Sequence, residues 1–246
     1  MAMREEFETS GAWLFRWRSY VPLLLLALLL RVVHREPRPY AHSIDDALWD
    51  MLCLLVALLG MAIRVATIGC TPRRTSGRNT RHQVAETLNC TGVYSVVRHP
   101  LYLGNLIIVL GIACYAQLWW MTLITWLAFT LYYERIMFAE EAFLRDKFGA
   151  TYERWAATTP AWIPRFRHWQ PASLPFSLRN VLKREYNGMF AIFLVLALLN
   201  ADMNWRIHGA LQLSGVWKIL LIGAASLWLL LRCLKRYTHV LGVAGR

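Results

Sequence analysis

Five apolar runs, separated by polar stretches dense in arginine, constrain this chain more than any other feature. A helix needs about 20 mainly apolar residues to cross the hydrocarbon core of a bilayer. The first two candidates lie at 13–33, built on YVPLLLLALLLRVV, and at 47–68. The third apolar region, 101–138, is too long for one crossing at about 1.5 Å of rise per residue. Its middle, GIACYAQLWW, carries Gly111, Gln117 and an aromatic pair suited to an interface. The region therefore reads as a helical hairpin, 101–115 and 118–138. Two shorter candidates follow at 188–201 and 216–233. The expected fold is all-α: a polytopic membrane helical bundle of about six spans with a hairpin at its core.

Composition agrees, since 57% of the 246 residues are hydrophobic, too many for a soluble domain of this size. The net charge of +12 collects in loops between the apolar runs, the pattern of residues facing an anionic leaflet. No zinc-finger spacing and no glycine- and aromatic-rich RNA motif accompanies it, so nucleic acid is set aside as a partner. The five cysteines form no C-x-x-C pair and read as small apolar residues, with neither disulfide nor metal site expected. Glu5, Glu6 and Glu8 near the N-terminus, and no small-residue cleavage site, argue that the first span is retained.

Arg73, Arg74, Arg78, Arg81 and Arg98 precede the hairpin, and Arg145, Lys147, Arg154, Arg165, Arg167, Arg179, Lys183 and Arg184 follow it. The positive-inside rule then places both long loops and both termini in the cytoplasm. Three regions follow: 1–70 with two spans, 71–170 with the loop, hairpin and a following lid segment, and 171–246 with two further spans. The proline-containing RHWQPASLPFSLRN is the nearest thing to a linker between the last two. A hairpin brings its ends together, so Arg98-His99-Pro100 and EEAFLRDKFG should meet on one membrane face.

Each polar cluster admits a bland reading beside a functional one. Arg98 and Tyr102 share a helix face, and Pro100 suits a first helical turn, so the stretch could be an ordinary interfacial helix start. Glu134, Glu140 and Glu141 could be a solvated helix end paired with Arg135 and Arg145. Acidic groups beside a span are costly unless partnered or functional, which favours a site. LRDKFGATYERW reads as a helix, a stop at Gly149 and a new helix. TTPAWIPRF then reads as an extended lid over the site, or as an amphipathic stretch resting on the membrane. Arg78 stands out among the loop arginines, because SGRNT is a compact polar turn close to the Gly92 region.

TGVYSVVRHPLYLGN, followed by EEAFLRDKFGATYERWAATTPAWIP, resembles the isoprenylcysteine carboxyl methyltransferase superfamily of membrane enzymes, which includes phospholipid methyltransferase-like proteins. The resemblance runs from about 76 to 166 and rests on G-x-Y, R-H-P-x-Y-x-G, E-E and F-G-x-x-Y-x-x-W together. It implies S-adenosylmethionine as cofactor, bound without a Rossmann fold in a cytosol-facing pocket. A lipid or lipid-linked substrate would enter from the bilayer. Carried across residue by residue, it assigns Tyr94, His99, Pro100 and Tyr102, with Leu88, to the cofactor pocket; Arg98 is counted with them as a cofactor candidate, with the substrate anion and a lipid phosphate as its other partners. Glu140 matches the carboxylate that holds the cofactor, and Glu141 stands beside it as a catalytic candidate. Arg135 falls within one residue of an arginine that orients substrate. The last two spans extend beyond the family's usual core.

Methyl transfer from a sulfonium is an in-line displacement. A carboxylate or phosphate oxygen is already ionised and needs no general base, so positioning and water exclusion suffice. Arginine forks suit such anions, so an anionic lipid-borne acceptor is expected, with an amine headgroup as the alternative. Two rivals remain. NADPH-dependent sterol reductases share the R-H-P-x-Y and terminal F/Y-G-x-x-W layout but are longer, and a non-catalytic scaffold would show eroded motifs, which this chain does not.

Overall fold

The computed structural model describes residues 3–18, 20–36, 44–72, 75, 85–243 and 245. Arg73, Arg74, Arg78 and Arg81 lie outside them. All regular structure among the described residues is helical: α1 (Met3–Trp17), α2 (Val21–Arg35), α3 (Ile44–Gly69), α4 (Pro100–Cys114), α5 (Trp119–Phe148), α6 (Ala150–Thr158), α7 (Leu178–His208) and α8 (Gly215–Tyr237). Short 3-10 turns stand at Gly92–Ser95 and Phe166–His168.

The span expected at 13–33 is two helices whose axes differ by 73°. Pro22 supplies the reason. In a continuous helix its ring would clash with the carbonyl of Arg18, four residues back, and it has no N–H to give. It stands instead in the first turn of α2, where neither matters. α1 lies along α5. Gly11 permits this, because a Cβ there would run into the Arg135 carbonyl. Phe7 meets Phe138 edge to face at 5.4 Å, and Phe15 is buried.

The hairpin is present, with α4 ending at Cys114 and α5 starting at Trp119. Gln117 turns it at a φ of 58° and its side-chain amide donates to Asp46 (3.1 Å). α4 packs on α3 through small residues. A Cβ on Gly60 would sit 2.5 Å from the Gly104 carbonyl oxygen, and one on Gly111 2.7 Å from the Ala57 nitrogen. The two backbones are therefore nearly in contact, as in membrane helix pairs joined by small residues.

By length and composition, 46–69, 178–208 and 215–237 can each cross a membrane, and the bent pair α1–α2 makes a fourth where it is counted as one broken span. The hairpin explains the difference from about six. α4, at 15 residues, reaches only about 22 Å. α5 does not end at 138 but runs on past Glu140 and Glu141 to Phe148, 30 residues in all. Gly149, at a φ of 49°, ends it, and α6 begins one residue later, where a stop and restart was expected.

The stretch expected to be a linker is pinned along its length. Gly92 N–H donates to the Gln170 carbonyl (3.0 Å), Gln170 N–H to Ser95 Oγ (3.0 Å), and Ser177 N–H to the Gly69 carbonyl (2.9 Å). The Phe176 ring covers Gly69. α7 then packs on α3, with Asn180 donating to the Ile68 carbonyl (2.8 Å). At the far end of the bundle, buried Asp50 on α3 accepts from Tyr115 (2.7 Å) and from Trp217 on α8 (3.1 Å). Residues 171–246 are thus joined to the core at both ends.

Candidate active site

His99 and Pro100 open α4, and this local choice sets the site. The residue before a proline is held out of the helical region, and His99 adopts φ −121°, ψ 59° as the helix cap. His99 is 7% exposed and lies beside Glu140 and Glu141 of α5. Nε2–H donates to Glu141 at 2.9 Å, and Nδ1 stands 3.7 Å from Glu140. Arg98 Nη1 donates to the Ala156 carbonyl (3.2 Å). Its Nε is 3.2 Å from Glu141, close enough for an ion pair though not aligned as a hydrogen bond. The expected meeting of the two polar clusters is therefore present.

Glu141 lies in the polar end of α5, past the apolar part. Burial would raise its pKa, but the hydrogen bond from His99, with the charges of His99 and Arg98, holds it below the ordinary value. Beside it, the Tyr152 phenol is pushed up by burial and then by the Glu141 charge. Tyr94, in the turn before the helix, is raised above its ordinary range by burial and by Glu140, so it is a neutral wall.

A cavity of about 330 Å³ opens beside this cluster. Leu88, Tyr94, Arg98, His99, Pro100, Tyr102 and Glu140 all line it, gathered from the 85–98 loop, α4 and α5. Trp155 of α6 closes one side, its indole N–H on the Tyr94 carbonyl at 3.1 Å. The following strap is held by Arg98 N–H on the Pro160 carbonyl and Arg165 N–H on the Val96 carbonyl, both 2.9 Å. The segment expected as a lid is thus tied across the turn that carries Tyr94.

Glu141 and Arg135 do not line the cavity. Glu141 stands behind His99. Arg135 lies with its guanidinium 3.3 Å from the Phe7 ring centre, on the face of α5 turned to α1. Glu134 is exposed. The cavity instead recruits residues not anticipated from the sequence: Phe15, Arg18, Arg64, Asn105, Tyr133 and Glu185. The rings of His99, Tyr102 and Tyr133 form a stack, with centres 5.8 and 4.8 Å apart. Asn105 donates to the Tyr133 hydroxyl (3.0 Å) and accepts from Arg64 (2.6 Å). Arg64 grips Glu185 of α7 through Nε (2.8 Å) and Nη2 (2.9 Å). Of these, Arg64 carried a sequence signal, as an arginine inside an apolar run. Glu185 carried none, sitting in a basic stretch with no hint that α7 reaches the cavity.

The donor set fits a small cation bearing an amino acid group. Glu140 offers a carboxylate, Tyr94 and Trp155 offer aromatic surface, and Leu88 an apolar contact, while Tyr102 presents the edge of a ring stacked between His99 and Tyr133; aromatic rings and carboxylates both favour positive charge. Among the described residues no group of three or more His, Cys, Asp or Glu side chains could hold a metal ion.

Residues 49–151 match the model of a family described as phospholipid methyltransferase. The chain is similar to the cobalt-zinc-cadmium resistance protein CzcN of Cupriavidus metallidurans, at 33% identity over 61% of this chain and 62% of the relative. It is similar at 32% identity to the nickel-cobalt-cadmium resistance protein NccN of Alcaligenes xylosoxydans xylosoxydans, over 61% of this chain and 63% of that one. The match thus spans less than two thirds of either relative. No solved structure matches.

Proposed function

We propose, from the premise that residues 49–151 belong to the phospholipid methyltransferase family within its membrane superfamily, that this protein is an S-adenosylmethionine-dependent membrane methyltransferase acting on a lipid or lipid-linked acceptor. The observation that carries the reading is the convergence of Leu88, Tyr94, His99, Tyr102 and Glu140 on one cavity from three separate segments.

When bound, S-adenosylmethionine supplies a methyl carbon on cationic sulfur, passed in line to a nucleophile while the electron pair of the breaking C–S bond stays on sulfur. Glu140 holds the ammonium of its amino acid part. Tyr94 and Trp155 would flank the positive charge, and with the stacked Tyr102 ring they would exclude water. His99, fixed by Glu141, sets the Tyr102 ring and the Glu140 carboxylate in place. Glu141 is therefore a positioning residue, and Arg135 supports the α1–α5 contact. The acceptor favoured is an anionic oxygen, carboxylate or phosphate, because it needs no base. The alternative is the amine of a phospholipid headgroup, which must shed a proton. Both termini and the cavity face the cytoplasm by the distribution of arginine and lysine.

Both relatives are named for resistance to metal ions. For this chain the proposed connection is charge: methylating an anionic headgroup removes negative surface charge that attracts divalent cations. The test of the reading is binding of S-adenosylhomocysteine by the purified chain, followed through tryptophan fluorescence with NADPH as the competitor ligand. Binding of NADPH alone would favour the reductase.

A further inference from the structure

Arg64 lies five residues before the end of α3, about 8 Å inside the helix terminus. It therefore sits within the last turn and a half of α3, at the end of that helix that borders the cavity. The fold makes room for it. A Cβ on Gly104 would sit 2.7 Å from Arg64 Cγ, so the glycine lets the side chain pass α4 and reach the cavity wall. Three of the five N–H donors of a guanidinium are committed among the described residues, two to Glu185 and one to Asn105. Each of the three guanidinium nitrogens is thus held once, and one N–H remains on each of Nη1 and Nη2. A purely structural clamp between α3 and α7 would not need its guanidinium on the cavity wall, nor a glycine opposite to admit it.

We propose that Arg64, held by Asn105 and Glu185, is the acceptor-anchoring residue of the cavity, donating its two remaining N–H groups to an anionic oxygen of a lipid headgroup. Glu185 is the positioning residue. α7, which lies beyond the family match, thereby determines which acceptor is used. The inference rests on the methyltransferase reading for its meaning and is tested separately from it.

The full chain in detergent micelles is titrated with dioctanoyl phosphatidate, and with dioctanoylglycerol as the neutral control. Affinity for S-adenosylhomocysteine is measured in parallel. Charge-assisted hydrogen bonds of this kind correspond to a preference of about tenfold or more for the phosphatidate. In Arg64→Gln/Glu185→Gln that preference should fall to within about twofold, because the double change leaves no unpaired buried charge and keeps the fold. The preference is read in each variant as the ratio of affinities for the two lipids, so that a loss common to both, or a change in S-adenosylhomocysteine affinity passed through Asn105 and Tyr133, does not count toward it. Arg64→Lys, which keeps charge and loses the fork, should lose most of the preference and serves if the double variant does not fold. Glu185→Asp should restore part of what Glu185→Gln loses. Equal binding of both lipids by the wild type, or a preference surviving in the double variant and in Arg64→Lys, overturns the proposal. Failure of the wild type to bind S-adenosylhomocysteine would instead overturn the methyltransferase reading, and the lipid titration would still decide the subsite.

Discussion

Gly60→Ala tests the packing that holds the cavity together. In most exposed helical positions alanine is favoured over glycine by about 1 kcal/mol. Here the new Cβ would lie 2.5 Å from the Gly104 carbonyl oxygen and 2.7 Å from the Ile108 nitrogen, both backbone atoms that cannot rotate away. α3 and α4 must move apart by roughly the difference from an ordinary contact of about 3.5–4 Å. Overpacking of this kind costs about 1–3 kcal/mol, so the sign of the usual glycine-to-alanine effect reverses. For a chain of this size the thermal midpoint shifts by about 2–4 °C for each kcal/mol. Gly223→Ala on α8 is the control, because nothing lies within 4 Å of its Cβ position. The assay is thermal unfolding in one detergent, followed by the fluorescence of the twelve tryptophans. The reasoning fails if Gly60→Ala melts at or above the wild type, or if Gly223→Ala falls as far.

Glu140→Gln should lower S-adenosylhomocysteine affinity about tenfold or more through loss of a charged contact, while the helical circular dichroism stays unchanged. Glu141 is held below its ordinary value of 4.5. Its ionised form therefore stabilises the fold fully above that value, and the contribution disappears as pH falls through the lower folded pKa. Melting curves from pH 7 to 3 should accordingly show a shallower acid decline in Glu141→Gln than in the wild type. Trp155→Phe keeps the ring but removes the N–H bond to the Tyr94 carbonyl. It should cost about 1 kcal/mol in thermal unfolding and weaken cofactor binding less than Trp155→Ala.

The helical class and the hairpin were legible because apolar run length and the Gly111–Gln117 interruption act locally. The stop at Gly149 was legible for the same reason, since it needs only one residue's backbone geometry. The break before Pro22 was equally local in cause, but the apolar run across it masked the signal. The meeting of His99 with Glu140 and Glu141 followed from topology, as the two ends of a hairpin must come together. Arg64 with Glu185 was out of reach, because their contact joins residues 121 apart through helix packing that no periodicity encodes. Arg135 shows the converse. A motif register placed it at the cavity, but one residue is about 100° around a helix, enough to turn it toward Phe7 instead.

The most direct measurement incubates the purified chain in lipid vesicles with methyl-labelled S-adenosylmethionine and total membrane lipid, then identifies the labelled product by mass spectrometry. The account calls for label in the lipid fraction, as a methyl ester of a carboxylate or phosphate, absent in Glu140→Gln. Label found only on an amine headgroup would contradict the anionic acceptor, and no lipid label at all, with no binding of S-adenosylhomocysteine, would contradict the central claim.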